Sequence, residues 1–198
     1  MIVTEIADYT KTKVKVCLDN RTDFQLYKKE INKYNIVEGE EITNYDEILN
    51  ETLIPRAKKR AIHLIEKMDR TESDLRRKLI KNGYPKEAID EAISYVKSYN
   101  YVNDKRYACM YVRNYRDSRT MNRISDDMYR KGIDKELIMY ALAEEYTTDE
   151  EDLIDTFIRK RNYNKDTATM KERDKMFRFL AGKGFELDMI RRHLTSTL

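Results

Sequence analysis

Three stretches of the 198-residue chain share one form: KLIKNGYPKEAI from Lys78 to Ile89, DMYRKGIDKELI from Asp127 to Ile138, and FLAGKGFELDMI from Phe179 to Ile190. Each reads as the end of a helix, a glycine, and the start of another helix. Aligned on Gly83, Gly132 and Gly184, the position eight residues earlier holds Leu75, Ile124 and Met176, and the position four residues earlier holds Leu79, Met128 and Leu180. One residue after the glycine stand Tyr84, Ile133 and Phe185, and six after it stand Ile89, Ile138 and Ile190. Every one of these positions is apolar in all three copies, and the copies lie 49 and 52 residues apart. Such self-similarity is the mark of a repeated helix–helix–helix unit. A unit of about forty residues buries too little surface to fold alone. The copies are therefore expected to stack as an elongated, curved, all-α array of three tandem three-helix repeats. The glycines have a structural task, turning the chain between the second and third helix of each unit.

Composition agrees. Charged residues make up 38% of the chain, which suits thin helical units with much surface. Only 5 Gly and 2 Pro argue against a sandwich or barrel, which needs many turns. Cys17 and Cys109 are far apart and follow no metal-ligand spacing, so they read as idle thiols of a reducing compartment. No apolar run reaches the length of a membrane helix. The opening MIVTEIADYT lacks a basic segment followed by an apolar one, so no secretory signal is read there and a cytoplasmic protein is expected. Net charge is only +3 but unevenly spread: Arg56 to Lys86 carries 11 basic and 4 acidic residues, Asp134 to Asp155 carries 1 and 9, and Ile158 to Arg178 carries 8 and 3. Bulk adhesion to nucleic acid is not expected from that total; alternating patches point to a partner with a charge pattern of its own.

The first fifty residues differ from the rest. Val14, Val16 and Leu18 alternate with Lys13, Lys15 and Cys17, the period of a half-buried strand. Asp19 to Asp23 supplies turn formers, after which Phe24 and Leu26 resume the alternation. The expectation is a small N-terminal β-hairpin and a short helix near 28–34, packed against something else because an isolated hairpin is marginal. Helical periodicity begins near Asp46, with Ala57, Ala61, Leu64, Ile65 and Met68 on one stripe. Thr71 fits an N-cap with Asp74 three residues on, Gly83 a C-terminal turn, and Pro85 the start of the next helix, whose apolar face is Ala88, Ile89, Ala92, Ile93 and Val96. The expected organisation is an N-terminal segment, 1–50, followed by repeats at 51–100, 101–147 and 148–198. In the second, Tyr107, Tyr111 and Tyr115 share a core stripe with Ala108 and Val112. In the third, 162–169 reads as a loop, 171–181 as the second helix and 186–193 as the third.

Several of these segments resemble the RecX family, modulators of the RecA recombinase. The run from Leu64 to Leu75, the motif Tyr101-Val102-Asn103-Asp104-Lys105-Arg106-Tyr107-Ala108 followed by Tyr111-Val112-Arg113, the close Arg130-Lys131-Gly132-Ile133, and Lys183-Gly184-Phe185 with Ile190 carry the resemblance in order along nearly the whole chain. Two positions depart from the family pattern: Asn103 stands where Asp is usual, and Thr120-Met121-Asn122-Arg123 lacks the glycine usual before Ile124. The resemblance implies a non-enzymatic, cytoplasmic, monomeric protein without cofactors or bound metal. It would bind the groove of the RecA–DNA filament and restrain ATPase, strand exchange and coprotease activity, within DNA repair, recombination and the SOS response. Single- or double-stranded DNA would be a secondary, weak partner; no membrane is involved. An alternative is a helical DNA-binding protein that acts without RecA, and another is a scaffold for an unrelated protein.

Candidate contact residues for such partners are Arg106, Arg113 and Arg116 on one face of the second repeat's first helix, extended by Arg119, Arg123, Arg130 and Lys131. In the first repeat they are Arg76, Arg77 and Lys81. A solvated helix face accounts for the same spacings. The 15 tyrosines suggest base stacking, but Tyr84, Tyr107, Tyr111 and Tyr115 fall at core positions, and only Tyr95, Tyr99 and Tyr101 are undecided. Enzyme readings are weak. There is no phosphate-binding loop, Gly182-Lys183-Gly184 is too short for a dinucleotide fingerprint, and His63 and His193 form no dyad. The acidic runs at Glu144-Glu145 and Asp149 to Asp152 read as a solvated linker rather than a cation site.

Overall fold

The computed structural model describes residues 1–195 and consists of two units, Met1–Asn103 and Asp104–Leu198. The first unit opens with a three-stranded antiparallel sheet in the order β1 (Val3–Asp8), β2 (Lys13–Leu18), β3 (Asp23–Tyr27). The alternation read from the sequence is the buried face: Val14, Val16, Leu18, Phe24 and Leu26 point inward, with Val16 opposite both Ile6 and Phe24. The expected hairpin is thus β2 and β3, and the structure adds β1 as a third strand. Its sequence, VTEIAD, hides it. Only Val3 is fully buried, and the register shifts between Val3 and Glu5, so no period of two survives.

Helix α1 (Lys28–Lys33) follows, and α2 (Tyr45–Ile48) runs through a π-helical turn, Leu49–Leu53, into α3 (Ile54–Lys67). The turn is wide for a reason visible in the sequence. The Ile54 N–H donates to the Leu49 carbonyl, five residues back, just before Pro55, which has no N–H to offer and would crowd the carbonyl before it in a regular helix. Helices α4 (Glu72–Lys81) and α5 (Lys86–Ser98) complete the first three-helix repeat. The buried faces of sheet and helices form one continuous core, from Val3 to Val102.

The second unit holds two further repeats, α6 (Asp104–Tyr115), α7 (Met121–Arg130) and α8 (Lys135–Glu145), then α9 (Glu150–Lys160), α10 (Met170–Lys183) and α11 (Leu187–Leu194). Each has its own core, one around Ile124 and Met128, the other around Met176 and Leu180. Helix α10 is longer at both ends than the sequence pattern suggests, because Thr169 caps it one residue earlier and Gly182 is accommodated within it.

The aligned glycines are the corners of the repeats. Gly83, Gly132 and Gly184 have φ of 75°, 76° and 96°. At each, the glycine N–H donates three residues back, to Ile80, Tyr129 and Ala181 at 2.9, 2.9 and 3.0 Å. The next residue's N–H donates five back, from Tyr84 to Leu79, Ile133 to Met128, and Phe185 to Leu180, at 3.4, 3.2 and 3.4 Å. That is a Schellman closure with its apolar pair in place. Asn100 and Asn162, also at positive φ, close α5 and α9 in the same way. A second shared device is a threonine at the start of each middle helix. Thr71, Thr120 and Thr169 accept from the N–H of Asp74, Arg123 and Glu172 at 3.1, 3.2 and 3.4 Å. Thr120 occupies the stretch where the family's usual glycine is missing, so this departure still begins a capped helix.

Candidate protein and nucleic-acid interface

The candidate contact residues lie on two middle helices, one first helix and a turn. In the first repeat, Arg76 of α4 is already engaged: Asp90 on α5 accepts from it at 2.5 Å and Glu72 at 3.1 Å. Asp90 and, behind it, Glu72 raise the Arg76 pKa above its ordinary value. Arg77 keeps 60% of its side-chain surface and has only a 3.6 Å contact with Asp74, and Lys81 is exposed.

In the second repeat the face read as one basic patch is a set of internal clamps. Arg113 of α6 donates to both carboxylate oxygens of Glu145, at the end of α8, at 2.6 and 2.5 Å, and Arg116 donates to the Glu145 main-chain carbonyl at 2.9 Å. The Arg113 guanidinium holds the Glu145 carboxyl below the usual carboxylate range. Arg119 sits 4.0 Å over the Tyr115 ring and donates to the Tyr111 hydroxyl at 3.0 Å and to Asp127 at 2.6 Å; Arg123 approaches the same Asp127 at 3.5 Å. Lys131 lies over the rings of Tyr107 and Tyr111. Arg106 and Arg130 are exposed. The structure therefore separates the ten candidates. Arg76, Arg113, Arg116, Arg119 and Arg123 order their own repeats, Lys131 lies against the tyrosine rings, and Arg77, Lys81, Arg106 and Arg130 are exposed.

Tyr107, Tyr111 and Tyr115 pack as a half-buried ladder against the second core, as their stripe suggests, with ring centroids 6.2 and 4.5 Å apart. Tyr99 and Tyr101 are exposed and stacked at 5.7 Å. The acidic runs serve the fold. Besides Glu145 at the clamp, Asp149 caps α9, and Glu150 accepts from the Met121 N–H at 2.8 Å and from the Tyr146 hydroxyl at 3.2 Å. Glu151 and Asp155 flank the two ring nitrogens of His193, tying α11 to α9. Among the described residues no group of three or more His, Cys, Asp or Glu side chains is placed to hold a metal ion, and no helix is long and apolar enough to cross a membrane.

One basic surface meets the candidate residues above only at Lys81. Arg56, Lys59, Arg60 and His63 recur at helical spacing along α3, opposite its buried Ala57, Ala61 and Leu64, and face an open cleft of 590 Å³ beside the sheet. The excess of 11 basic residues over 4 acidic between Arg56 and Lys86 was its signal in the sequence. The other wall of the cleft, from Lys13, Gln25 and Tyr27, could not be read without the sheet's orientation.

Fold and sequence together define a class: a tandem three-helix-repeat protein with an N-terminal sheet. Three family models match it in chain order: the first three-helix domain of RecX over residues 57–95, the second over 103–142 and the third over 149–194. The Regulatory protein RecX of Clostridium perfringens (strain 13 / Type A) is 34% identical over 167 residues, covering 82% of this chain and 77% of the relative. That of Caldanaerobacter subterraneus subsp. tengcongensis is 31% identical over 202 residues and covers both chains in full. A solved structure described as a crystal structure of regulatory protein RecX superposes with a TM-score of 0.58 at 22% identity, over 96% of this chain and 97% of the other. The RecX of Lactobacillus salivarius superposes with a TM-score of 0.55 at 22% identity, over 71% and 96%. The chain belongs to the RecX family.

Proposed function

We propose that this chain regulates a RecA recombinase by binding the groove of the RecA–DNA filament and restraining ATPase, strand exchange and coprotease activity. The observation that carries the reading is the presence, in order, of all three RecX three-helix domains. Repeats joined in one chain contact successive filament subunits with weak sites that gain from effective concentration. The outward charges, Arg77, Lys81, Arg106 and Arg130, are the side chains best placed for such contacts, and Arg113 and Arg116 hold α6 to α8 behind them. In this reading the protein acts as a cytoplasmic monomer, without catalysis or cofactor, and touches DNA weakly.

The test is the ATPase rate and filament lifetime of the cognate RecA on single-stranded DNA, with and without the protein. Inhibition is expected. Replacing Arg106, Arg113 and Arg116 together with alanine should weaken inhibition several-fold, and Arg106→Ala alone should do so without a change in melting temperature. Unchanged inhibition removes these residues from the site. DNA binding with no effect on RecA at any concentration overturns the proposal in favour of a RecA-independent DNA-binding protein.

A further inference from the structure

We propose that the cleft between the outer face of the sheet and α3 binds a single-stranded nucleic acid, with its phosphates along α3 and a base stacked on Tyr9. The proposal rests on the weak DNA contact of the reading above and gives that contact a site, one that requires no recombinase. The sheet buries one face in the core and turns the other outward. Lys13, Gln25 and Tyr27 belong to the outward face, and Thr10 and Thr12 to the turn between β1 and β2. Helix α3 supplies the facing stripe, and Lys81 and Asn82, at the end of α4, close one end.

The cleft gathers cations and no acids. Five cations line it, Lys13, Arg56, Lys59, Arg60 and Lys81, and no carboxylate does. Elsewhere in the same unit Lys28, Arg70, Arg76 and Lys97 are each paired with an acid at 2.8, 2.6, 2.5 and 2.6 Å. In the cleft only Arg56 is, through Glu30 on α1 at 2.5 Å. Among the described residues Lys13, Lys59, Arg60 and Lys81 make no ion pair. Like charges gathered without counterions repel one another, and low-dielectric walls focus their field into the cleft. An anion with repeating charges relieves that repulsion along the whole stripe. Arg60 is also oriented: its Nε donates to Asn82 Oδ1 at 2.7 Å, which leaves the end of the guanidinium for a phosphate.

The rings decide which polyanion fits. Tyr9 at the rim is 54% exposed, and Tyr27 forms part of the floor under Lys13 and Arg56, 5.3 and 4.9 Å from its centroid. Alternation of aromatic faces and cations is how proteins hold single strands, with bases on the rings and phosphates on the charges. An acidic peptide has carboxylates for the cations but no planar group for Tyr9. A duplex keeps its bases stacked inside and cannot offer one.

The experiment is fluorescence anisotropy of the full chain with a fluorescein-labelled oligothymidylate over a salt series, with no recombinase or nucleotide present. Lys59→Ala, Arg60→Ala and Lys81→Ala combined should weaken binding at least ten-fold and flatten the slope of log K against log salt by about 2, as loss of three phosphate contacts requires. Tyr9→Ala should weaken it several-fold and leave the slope unchanged. The matched triple Lys160→Ala, Lys171→Ala and Arg173→Ala, on exposed positions of α9 and α10, should bind as the parent does. Unchanged affinity in the cleft triple, an equal loss in the matched triple, tighter binding of a duplex of the same length, or equal competition by a charge-matched polyglutamate each overturns the proposal, the last assigning the cleft to an acidic polypeptide. Circular dichroism checks the fold, and should the cleft triple unfold, Tyr9→Ala decides. Strand binding that survives a failed RecA assay leaves this site standing while the filament proposal falls.

Discussion

The two units are built from the same repeat but are held together differently. In the first, the three-helix repeat shares one core with the sheet, so the flank that a lone repeat leaves uncovered is covered by Val16, Leu18, Phe24 and Leu26. In the second, the two repeats keep separate cores, and the seam between them is polar. The Tyr146 hydroxyl donates to Glu150 at 3.2 Å, Met121 N–H to Glu150 at 2.8 Å, and the Thr120 hydroxyl to the Lys183 carbonyl at 3.3 Å. Apolar burial is worth roughly 25 cal/mol per Å² and has no preferred direction, whereas a net hydrogen bond is worth about 1 kcal/mol and depends on angle. One repeat is therefore fused to its neighbour, and the other is registered against its neighbour by a few directional contacts.

The glycine corners test that contrast most severely. At Gly184 a Cβ would lie 2.5 Å from Thr120 Oγ1 and 2.8 Å from Arg123 Cβ. Thr120 is fully buried and caps α7, so it cannot step aside without uncapping a helix. At Gly83 the obstacle is the Gln25 side chain, 2.3 Å away but on a flexible stem. Both substitutions force a β-carbon into the left-handed region, about 1 kcal/mol, but only Gly184→Ala also disrupts a cap, about 1 kcal/mol more, together with the seam. We expect Gly184→Ala to cost about 3 kcal/mol and Gly83→Ala about 2 kcal/mol in urea unfolding. Adding Gln25→Ala should recover part of the second loss and none of the first. Gly182→Ala, two residues away inside α10 with open space around it, should stabilise by about 0.5–1 kcal/mol. A Gly184→Ala protein as stable as the parent would show that the seam is not a docked surface.

The corners themselves were legible because their chemistry is local: a residue free to adopt positive φ, with apolar partners at fixed offsets. The strand alternation was legible on β2 and β3 for the same reason. What escaped depends on distant segments. Strand β1 has a single fully buried side chain and is defined by pairing with β2 and by Val3, whose N–H donates to the Glu40 carbonyl and whose carbonyl accepts from the Gly39 N–H. Arg106, Arg113, Arg123 and Arg130 lie on helices, while Arg116, expected on the first helix, falls in the turn just past its end, as Arg119 and Lys131 fall in turns; the spacing is the same whether such residues face solvent, a phosphate or Glu145. The carboxylates of α8 and α7, brought close by folding, are what tie Arg113 and Arg119 to their own repeat. The cleft needed both a helix stripe, which the sequence shows, and the turned-out face of a sheet, which it does not.

Electrostatics sharpen the comparison at a smaller scale. Partial burial pushes the Glu30 carboxyl up, and the Arg56 guanidinium and the Tyr27 N–H more than offset this, so it titrates below its ordinary 4.5. Glu72 is likewise held low, its partial burial outweighed by Lys97 and Arg76. In the second unit Arg113 holds Glu145 low at a side-chain exposure of 16%, close to the 13% of Glu30, while the exposed Glu172 is held low by Thr169. A carboxyl whose folded pKa is depressed adds stability above its unfolded pKa, and that stability is lost as pH falls through the folded value. Glu30→Gln should therefore cost about 1.5 kcal/mol near neutral pH, with the difference from the parent shrinking as pH falls below 4.5 and vanishing once Glu30 is protonated in the folded protein. The cost should change little between low and high salt. A loss that persists undiminished in acid would mean that Glu30 acts by packing and not by charge.

The smallest expected effect concerns a flaw in the fused core and carries the opposite sign. Tyr45, at the start of α2, packs edgewise on Phe24 with centroids 5.7 Å apart, which places its ring in the layer between sheet and helices. Among the described residues its hydroxyl is buried without a hydrogen-bond partner, and burial pushes its pKa up to about 12. The ring contributes to the join between sheet and repeat, and the oxygen detracts from it, since an unmatched buried hydroxyl costs about 1–3 kcal/mol of desolvation. Tyr45→Phe keeps the ring and removes the oxygen, so it should raise stability by up to about 1 kcal/mol, whereas Tyr45→Ala should lower it by about 3 kcal/mol. Thermal unfolding of the pair separates the two contributions. If Tyr45→Phe proves destabilising, the hydroxyl has a partner in solution, and the layer between sheet and helices is more polar than its side chains indicate.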